Sequence, residues 1–378
     1  MANVIPSDLK PRIVTDALDV LEETFALLGS VEKNYSSAAG QVGDVVSVGK
    51  SQALDAVNVT AAATAPAASD ITLDSATITI DQFKKTSFKI TGQEFQNYQL
   101  TPTFMKQVQQ AVRGCVKKAN EGLMDLYYKI PYYAGDASRS LFNDGSSQTV
   151  DPLADLGKVL RDNNVNGDNW KLFLSPTEEA SAKKVSTLQN ANNFGTRDLI
   201  MDGEIGRVLS FDTFVDQQIP THTVGTETSA TNNGGSAVGD TTIPLTGTFA
   251  LKQGDLVTFG DGYDYSVQAD TSATSMVIDR GLEAIVADTT ALAFSSGHGT
   301  GEINIAGDMT GFGMVSRLPQ AAYFGGGILG DQMVVTHSSG LSMLLGTYSQ
   351  YHQLSFECAL LYGQNVIDSR KLARGLGA

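Results

Sequence analysis

Charge is scarce in this chain. Only 18% of its 378 residues are charged, against about 25% in an ordinary soluble protein. Basic residues are the scarcer kind, 26 against 41 acidic ones, for a net charge of −15. A chain so poor in cations lacks the basic face needed to grip nucleic acid as its main task. Cysteine is nearly absent too. Cys115 and Cys358 are far apart and too few for a disulfide framework, which fits assembly in a reducing compartment. No apolar run of about 18 residues exists, so no membrane association is expected. The longest uncharged stretch, 332–356, is broken by His337, Ser338, Ser339, Gln350 and His352 and reads as strands. The first residues, MANVIPSDLK, lack the apolar core of a signal peptide.

Catalytic signatures are missing as well. There is no GxxxxGK[ST] phosphate loop, HExxH, CxxC or GxSxG elbow. Three SxxK pairs, at Ser30, Ser47 and Ser181, stand without the companion motifs of penicillin-recognising enzymes. Asp162, Asn164, Asn166 and Gly167 begin like a calcium loop, but the twelfth position is Phe173 rather than Glu. The histidines His222, His298, His337 and His352 show no ligand spacing, and the last two read as packing residues within strands. Asp198, Asp202 and Glu204 are the only constellation that suits a hydrolase, and Asp202-Gly203 is more simply a turn. Nothing joins a nucleophile to a base and an oxyanion site. No catalytic residue, cofactor or metal is therefore expected.

What the chain does have is 42% hydrophobic residues and 38 glycines, a folded, β-rich and loop-rich composition. Residues 11–35 carry Ile13, Val14, Ala17, Leu18, Leu21, Phe25 and Leu28 at helical steps. That stripe suits a core helix or an arm laid on a neighbour. Strand-like segments flank the featureless TAAATAPAAS, 60–69, and 36–95 together read as one long β-hairpin with a mobile tip. A helix is expected over 102–130, with Thr101 as cap, Pro102 at its first position and Pro131 beyond its end. Its stripe is Val108, Val112, Cys115, Ala119, Leu123, Leu126 and Ile130, on a rod roughly 42 Å long. PLADLGKVLRD, a polar turn and WKLFLSP then read as helix, turn and buried strand, with Ser175 and Pro176 opening another helix. Residues 221–242 are polar and Gly-rich, a linker or long loop. Short strands follow to Phe294, punctuated by Gly254-Asp255 and Asp261-Gly262, and suggest a small antiparallel β-barrel. Its expected core is Val257, Phe259, Tyr265, Val267, Val277 and Ile278. Residues 221–310 hold two basic and eleven acidic side chains, a net −9, so this module concentrates the acidity on a solvent-facing surface.

The order of these parts resembles the major capsid (coat) protein of tailed bacteriophages. The closest likeness is to short-tailed phage coat proteins with an inserted I-domain. LKQGDLVTFG (251–260), GRVLSFDTFVDQQIP (206–220) and ALLYGQNVIDSRKLARGLGA (359–378) are similar to phrases of that family. The resemblance implies an α+β fold divided into N-terminal arm (1–35), extension loop (36–100) and spine helix (101–132). An axial domain begins at 133–220, the inserted β-barrel occupies 221–300, and 301–378 returns to the axial and peripheral domains. It implies self-assembly into pentamers and hexamers of an icosahedral shell. Scaffolding and portal proteins, a decoration protein and packaged double-stranded DNA held only non-specifically are the expected partners. Leu18, Leu21 and Phe25 of the arm are expected at subunit contacts. So are Lys84, Lys85 and Lys89 of the extension, and Glu227, Asn232, Asn233 and Asp240 of the loop, reaching to a neighbouring capsomer. Two other readings stand beside it. One is an encapsulin-like cellular shell sharing the fold, and the other is the carboxylate hydrolase.

Overall fold

The structure is a computed structural model, and its description covers residues 26–31, 42–50, 74–91, 102–189, 205–271, 274–318, 329–336 and 341–378. Strands β1 (Val45–Lys50) and β2 (Asp74–Thr79) pair antiparallel from Val45↔Thr79 to Lys50↔Asp74. Period-2 alternation buries Ala76, Ile78 and Ile80 against Val315, Leu361 and Ile367. The hairpin ends there. Strand β3 (Gln82–Thr91), expected to continue it, instead pairs antiparallel with β21 (Gln353–Val366). The reason is an aromatic pair: Phe88 lies directly opposite Phe356 and stacks on it, centroids 5.1 Å apart. The sheet so formed runs β18 (Phe312–Arg317), β21, β20 (Ser342–Gln350), β19 (Leu329–Thr336), with β3 also beside β21.

The spine helix crosses this sheet. Helix α2 (Pro102–Met124) buries Val112, Cys115, Ala119 and Leu123 against Met314, Met343, Leu360 and Tyr362. It is shorter than the expected 102–130. A 3-10 turn takes over at Asp125–Lys129, and Ile130 is extended. Pro131 explains this, because its ring excludes the helical conformation from the residue before it. Leu126 and Ile130 nevertheless stay in the same core. Thr101 lies outside the described residues. Helix α1 (Ala26–Ser30) adds Leu27 and Leu28, with Val31 after it, to that core. The described end of the arm thus packs on its own spine, while Leu18, Leu21 and Phe25 lie outside the described residues. Among those described, no helix is long and apolar enough to cross a membrane.

A second, mixed sheet holds the middle of the chain. Its strands are β4 (Tyr133–Gly135), β5 (Lys171–Leu174), β6 (Arg207–Val208), β7 (Phe211–Val215), β8 (Thr221–His222), β17 (Gly301–Gly307) and β22 (Leu372–Gly377). The order is β4-β22-β17-β5-β7-β6, with β8 on one end of β17. WKLFLSP behaves as its pattern predicts: Trp170, Leu172, Phe173 and Leu174 are buried. Helix α3 (Asp151–Asp162) covers Trp170, Leu172 and Leu174 with Leu153, Leu156 and Leu160, while Phe173 faces the core of the spine helix. In α4 (Pro176–Ala182), Ser175 caps by accepting from the Glu178 N–H. A short helix α5 (Ser186–Gln189) follows.

Residues 223–300 form a module around a core of their own. Its strands are β9 (Thr226–Glu227), β10 (Thr231–Asn232), β11 (Thr242–Thr246), β12 (Phe249–Ala250), β13 (Leu256–Thr258), β14 (Asp264–Ser266), β15 (Ser275–Val277) and β16 (Ala293–Phe294). All their pairings are antiparallel, in ladders β10-β11-β15, β12-β9 and β14-β13-β16. Val257, Phe259, Tyr265, Val267 and Ile278 are buried as expected, with Ile243, Leu245 and Met276. Val277 is the exception at 43% exposed. Alternation along β15 sends Met276 inward and its neighbour out. The polar stretch 221–242 is no free linker, since it supplies β8, β9 and β10.

Candidate functional site: a buried polar junction and the module loop

Chain entry to and exit from the module lie side by side, because β8 and β17 pair at Thr221↔Glu302 and His222↔Gly301. This brings together His222 and His298, which are far apart in sequence. Between them sits Asp255, wholly buried. Its Oδ1 lies 2.8 Å from His222 Nε2 and 3.1 Å from His298 Nε2. Its Oδ2 accepts from the Lys252 N–H at 2.7 Å, and the Gly225 N–H donates to both oxygens at 3.2 Å. Burial alone raises a carboxyl group, but here the two imidazoles and these amides outweigh it and hold Asp255 well below the carboxylate range. Burial also pulls His298 below the usual imidazole value, against the opposing pull of Asp255. Tyr127, just after the spine, brings its hydroxyl within 3.0 Å of His222 Nδ1.

A wholly buried arginine closes the junction from the other side. Arg374 of β22 donates to the Gly254 carbonyl at 2.6 Å and to Ser266 Oγ at 2.5 Å. Its guanidinium lies 5.3 Å from the Tyr127 ring centroid. Burial pulls it down to about 10, which still leaves it charged at neutral pH. Gly254, at φ +96, is a required glycine, since a Cβ there would stand 2.6 Å from the Tyr127 ring. Ser266 and Gln268 also bind the Tyr128 carbonyl, at 2.5 and 2.9 Å. Module and body are therefore joined by a dense polar seam.

Little in the sequence marks this junction. The histidines are separated by the whole module, and Asp255 sits in an ordinary Gly-Asp turn phrase. The one available signal is position, one histidine near each end of the module.

The residues expected at subunit contacts are not brought together. Lys84, Lys85 and Lys89 are exposed on β3, and Lys85 pairs within its own chain with Glu357 at 3.3 Å. Glu227 is half-buried and accepts from the Ala230 N–H at 2.8 Å. Asn233 and Asp240 are exposed, Asp240 accepting from the Ala237 N–H. Asn232 is a correction, for a wholly buried side chain cannot reach a neighbour. It donates to the carbonyls of Val286 and Ala287 at 3.1 and 3.3 Å and accepts from Ser236. Asn232→Ala should strand those groups and lower stability by about 1–3 kcal/mol. Denaturant unfolding is the check, and an unchanged midpoint would contradict the role. Asp198, Asp202 and Glu204 lie outside the described residues.

Comparison with solved structures identifies the fold. A chain from Mycobacterium phage Che8 matches with a TM-score of 0.54 at 12% identity, covering 94% of this chain and 93% of that one. A chain from the asymmetric unit of the bacteriophage PhiM1 mature capsid matches with 0.51 at 10% identity, covering 94% and 87%. The chain thus has the mixed α/β, sheet-rich fold of tailed-phage capsid structures. No protein-family model and no curated protein matches the sequence.

Proposed function

We propose that this chain is the major capsid protein of a tailed bacteriophage. It self-assembles into pentamers and hexamers that close an icosahedral head around double-stranded DNA. The observation that carries this reading is the fold shared with the PhiM1 mature capsid chain across 94% of the sequence. Surface composition supports it. Val45, Phe83, Val334 and Tyr351 are 56%, 55%, 48% and 90% exposed on the hairpin and its sheet, as a subunit that buries its surface in neighbours requires. The arm (1–35) and extension (36–100) reach neighbouring subunits with the parts that do not pack on their own body, as 26–31, β2 and β3 do. The spine (101–132) and C-terminal strands form the peripheral domain, and 133–220 with part of 301–378 the axial one. The module 221–300 is an inserted barrel on the outer face. Asn233 and Asp240 are exposed on the same segment as exposed Val238, which the Ser236–Val286 bridge sets next to exposed Ile285, and they contact the next capsomer.

The subunit is structural and has no enzymatic turnover. The net charge of −15 keeps the shell from adhering to its packaged polyanion. Assembly takes place in the host bacterial cytoplasm, on a scaffolding protein and a portal, and the finished head can carry a decoration protein. The test is expression of the full chain, alone and with its phage's scaffolding protein, followed by negative-stain microscopy. Closed shells of uniform diameter are expected. A chain that stays monomeric in both preparations contradicts the reading.

A further inference from the structure

We propose that His222, Asp255 and His298 form a site for one divalent cation of the zinc class, which fastens the module to the body of the subunit. The donor set is two imidazole nitrogens and one carboxylate oxygen, all within 4.8 Å of one another. Such a set suits zinc and its first-row neighbours, whereas magnesium and calcium prefer oxygen alone. Bonds of about 2.0–2.1 Å in a tetrahedral site set adjacent donors roughly 3.3 Å apart. The two edges from Asp255, 2.8 and 3.1 Å, reach that with a shift of a few tenths of an ångström, and the edge between the two imidazoles is no longer than 4.8 Å.

His298 Nε2 is contested between two neighbours. The Leu256 N–H donates to its Nε2 at 3.3 Å, so that nitrogen carries the lone pair. The same lone pair faces Asp255 Oδ1 at 3.1 Å, acceptor against acceptor. Moving the proton to Nε2 satisfies Asp255 but strands the Leu256 N–H, and His298 Nδ1 is buried without a partner. A cation between the three donors takes up the Nε2 lone pair and removes its opposition to Asp255 Oδ1, at the cost of the long Leu256 N–H bond and with the ring proton on Nδ1.

The surroundings are those of a prepared metal site. Tyr127 fixes the His222 ring through Nδ1 and leaves Nε2 facing inward. Amides of Lys252 and Gly225 fix the carboxylate. The rings of Tyr127 and Phe294 stand 5.8 and 5.7 Å from the two imidazoles. Three donors leave a fourth position for water. Because the ligands come from the entering strand, the middle of the module and its last residues before the departing strand, the ion ties the module to the body at both of its ends.

The test uses the purified full chain after chelation and dialysis. Adding cobalt(II) should give the visible absorption of a four-coordinate ion, saturating at one cobalt per chain and abolished by zinc. Zinc should raise the thermal midpoint and a chelator should reverse it, while magnesium and calcium should do neither. His298→Gln and Asp255→Asn should lose the cobalt band, and His352→Gln, on the exposed β20–β21 turn, should keep it. Should either junction variant fail to fold, the wild-type titration still decides. A folded wild-type chain with no cobalt band and no zinc shift overturns the proposal. So does a band that survives in folded His298→Gln and Asp255→Asn. Neither result depends on whether shells form.

Discussion

Arg374→Met should lower the stability of the chain by about 3–5 kcal/mol. Methionine fills much of the volume of the arginine stem but supplies neither of two charge-assisted hydrogen bonds, each worth roughly 1.5–3 kcal/mol. The Gly254 carbonyl loses its donor, and the Tyr127 ring loses the cation that faces it. Asp255 and Asp279 lose a positive charge that lowers the Asp279 carboxyl against the larger upward push of burial. Arg374→Lys should recover only a small part, because an ammonium cannot present two donors in a fixed fork. The measurement is denaturant unfolding followed by Trp170 fluorescence and far-UV circular dichroism. A chain of this size can unfold in more than one step, so midpoints are compared for each transition. A Met variant with wild-type midpoints would remove Arg374 from the seam.

The sequence pattern made elements legible where one physical rule acted alone. WKLFLSP, the Ser175-Pro176 helix start and the inward positions of the module follow from burial period and capping chemistry. The failures share a cause, since each was decided by a partner distant in the chain. β3 has the alternation of a hairpin strand, but Phe356 recruits it to the C-terminal sheet. The Thr- and Gly-rich 221–242 has linker composition, yet its Thr and Asn residues are pinned by partners elsewhere in the chain, as in Asn232 with Thr290 and Thr226 with Ala250. The candidate site was the least legible part. Its chemistry exists only because β8 and β17 pair, and no spacing between His222 and His298 announces that. Arg374 in turn sits in a C-terminal stretch that reads as a basic tail. Of its neighbours Arg370 remains exposed and Lys371 half-buried, while β22, buried along its whole length between β4 and β17, carries Arg374 into the interior.

Glu178→Gln should make the chain more stable at pH 8 and flatter in its response to pH. Glu178 stands three residues after the Ser175 cap, where a glutamate ordinarily turns back to the cap's own N–H. Here the Ser175 N–H is bonded to Asn304 Oδ1 instead. Glu178 points inward, wholly buried, accepting from Ser140 Oγ at 2.6 Å and from the Leu141 N–H at 3.0 Å. Gly377 leaves room for it, since a Cβ there would meet Glu178 Oε1 and force the carboxyl group to move. Burial pushes the carboxyl up to about 7, and the nearby Glu302 adds to the shift, against the pull of Ser140 and Leu141. In the unfolded chain a glutamate titrates near about 4.3. Between those values the native state holds a proton that the unfolded state has released. The stability this proton contributes is complete below about pH 4.3 and is lost as the pH rises through about 7. The loss amounts to roughly 3–4 kcal/mol, at 1.36 kcal/mol per unit. Glutamine keeps an acceptor for the Leu141 N–H, and the Ser140 hydroxyl can rotate to accept from its amide. The variant carries no proton to lose, so its advantage over wild type should be absent near pH 4.5, grow between about pH 4.5 and 7, and level off by pH 8. Asp255 does not mask this, because its depressed carboxyl loses its contribution only as the pH falls through strongly acidic values. Denaturant midpoints of both proteins at half-unit pH steps decide the matter. Parallel curves across pH 5–8 would mean that Glu178 is ionised in the fold and that its hydrogen bonds outweigh its burial.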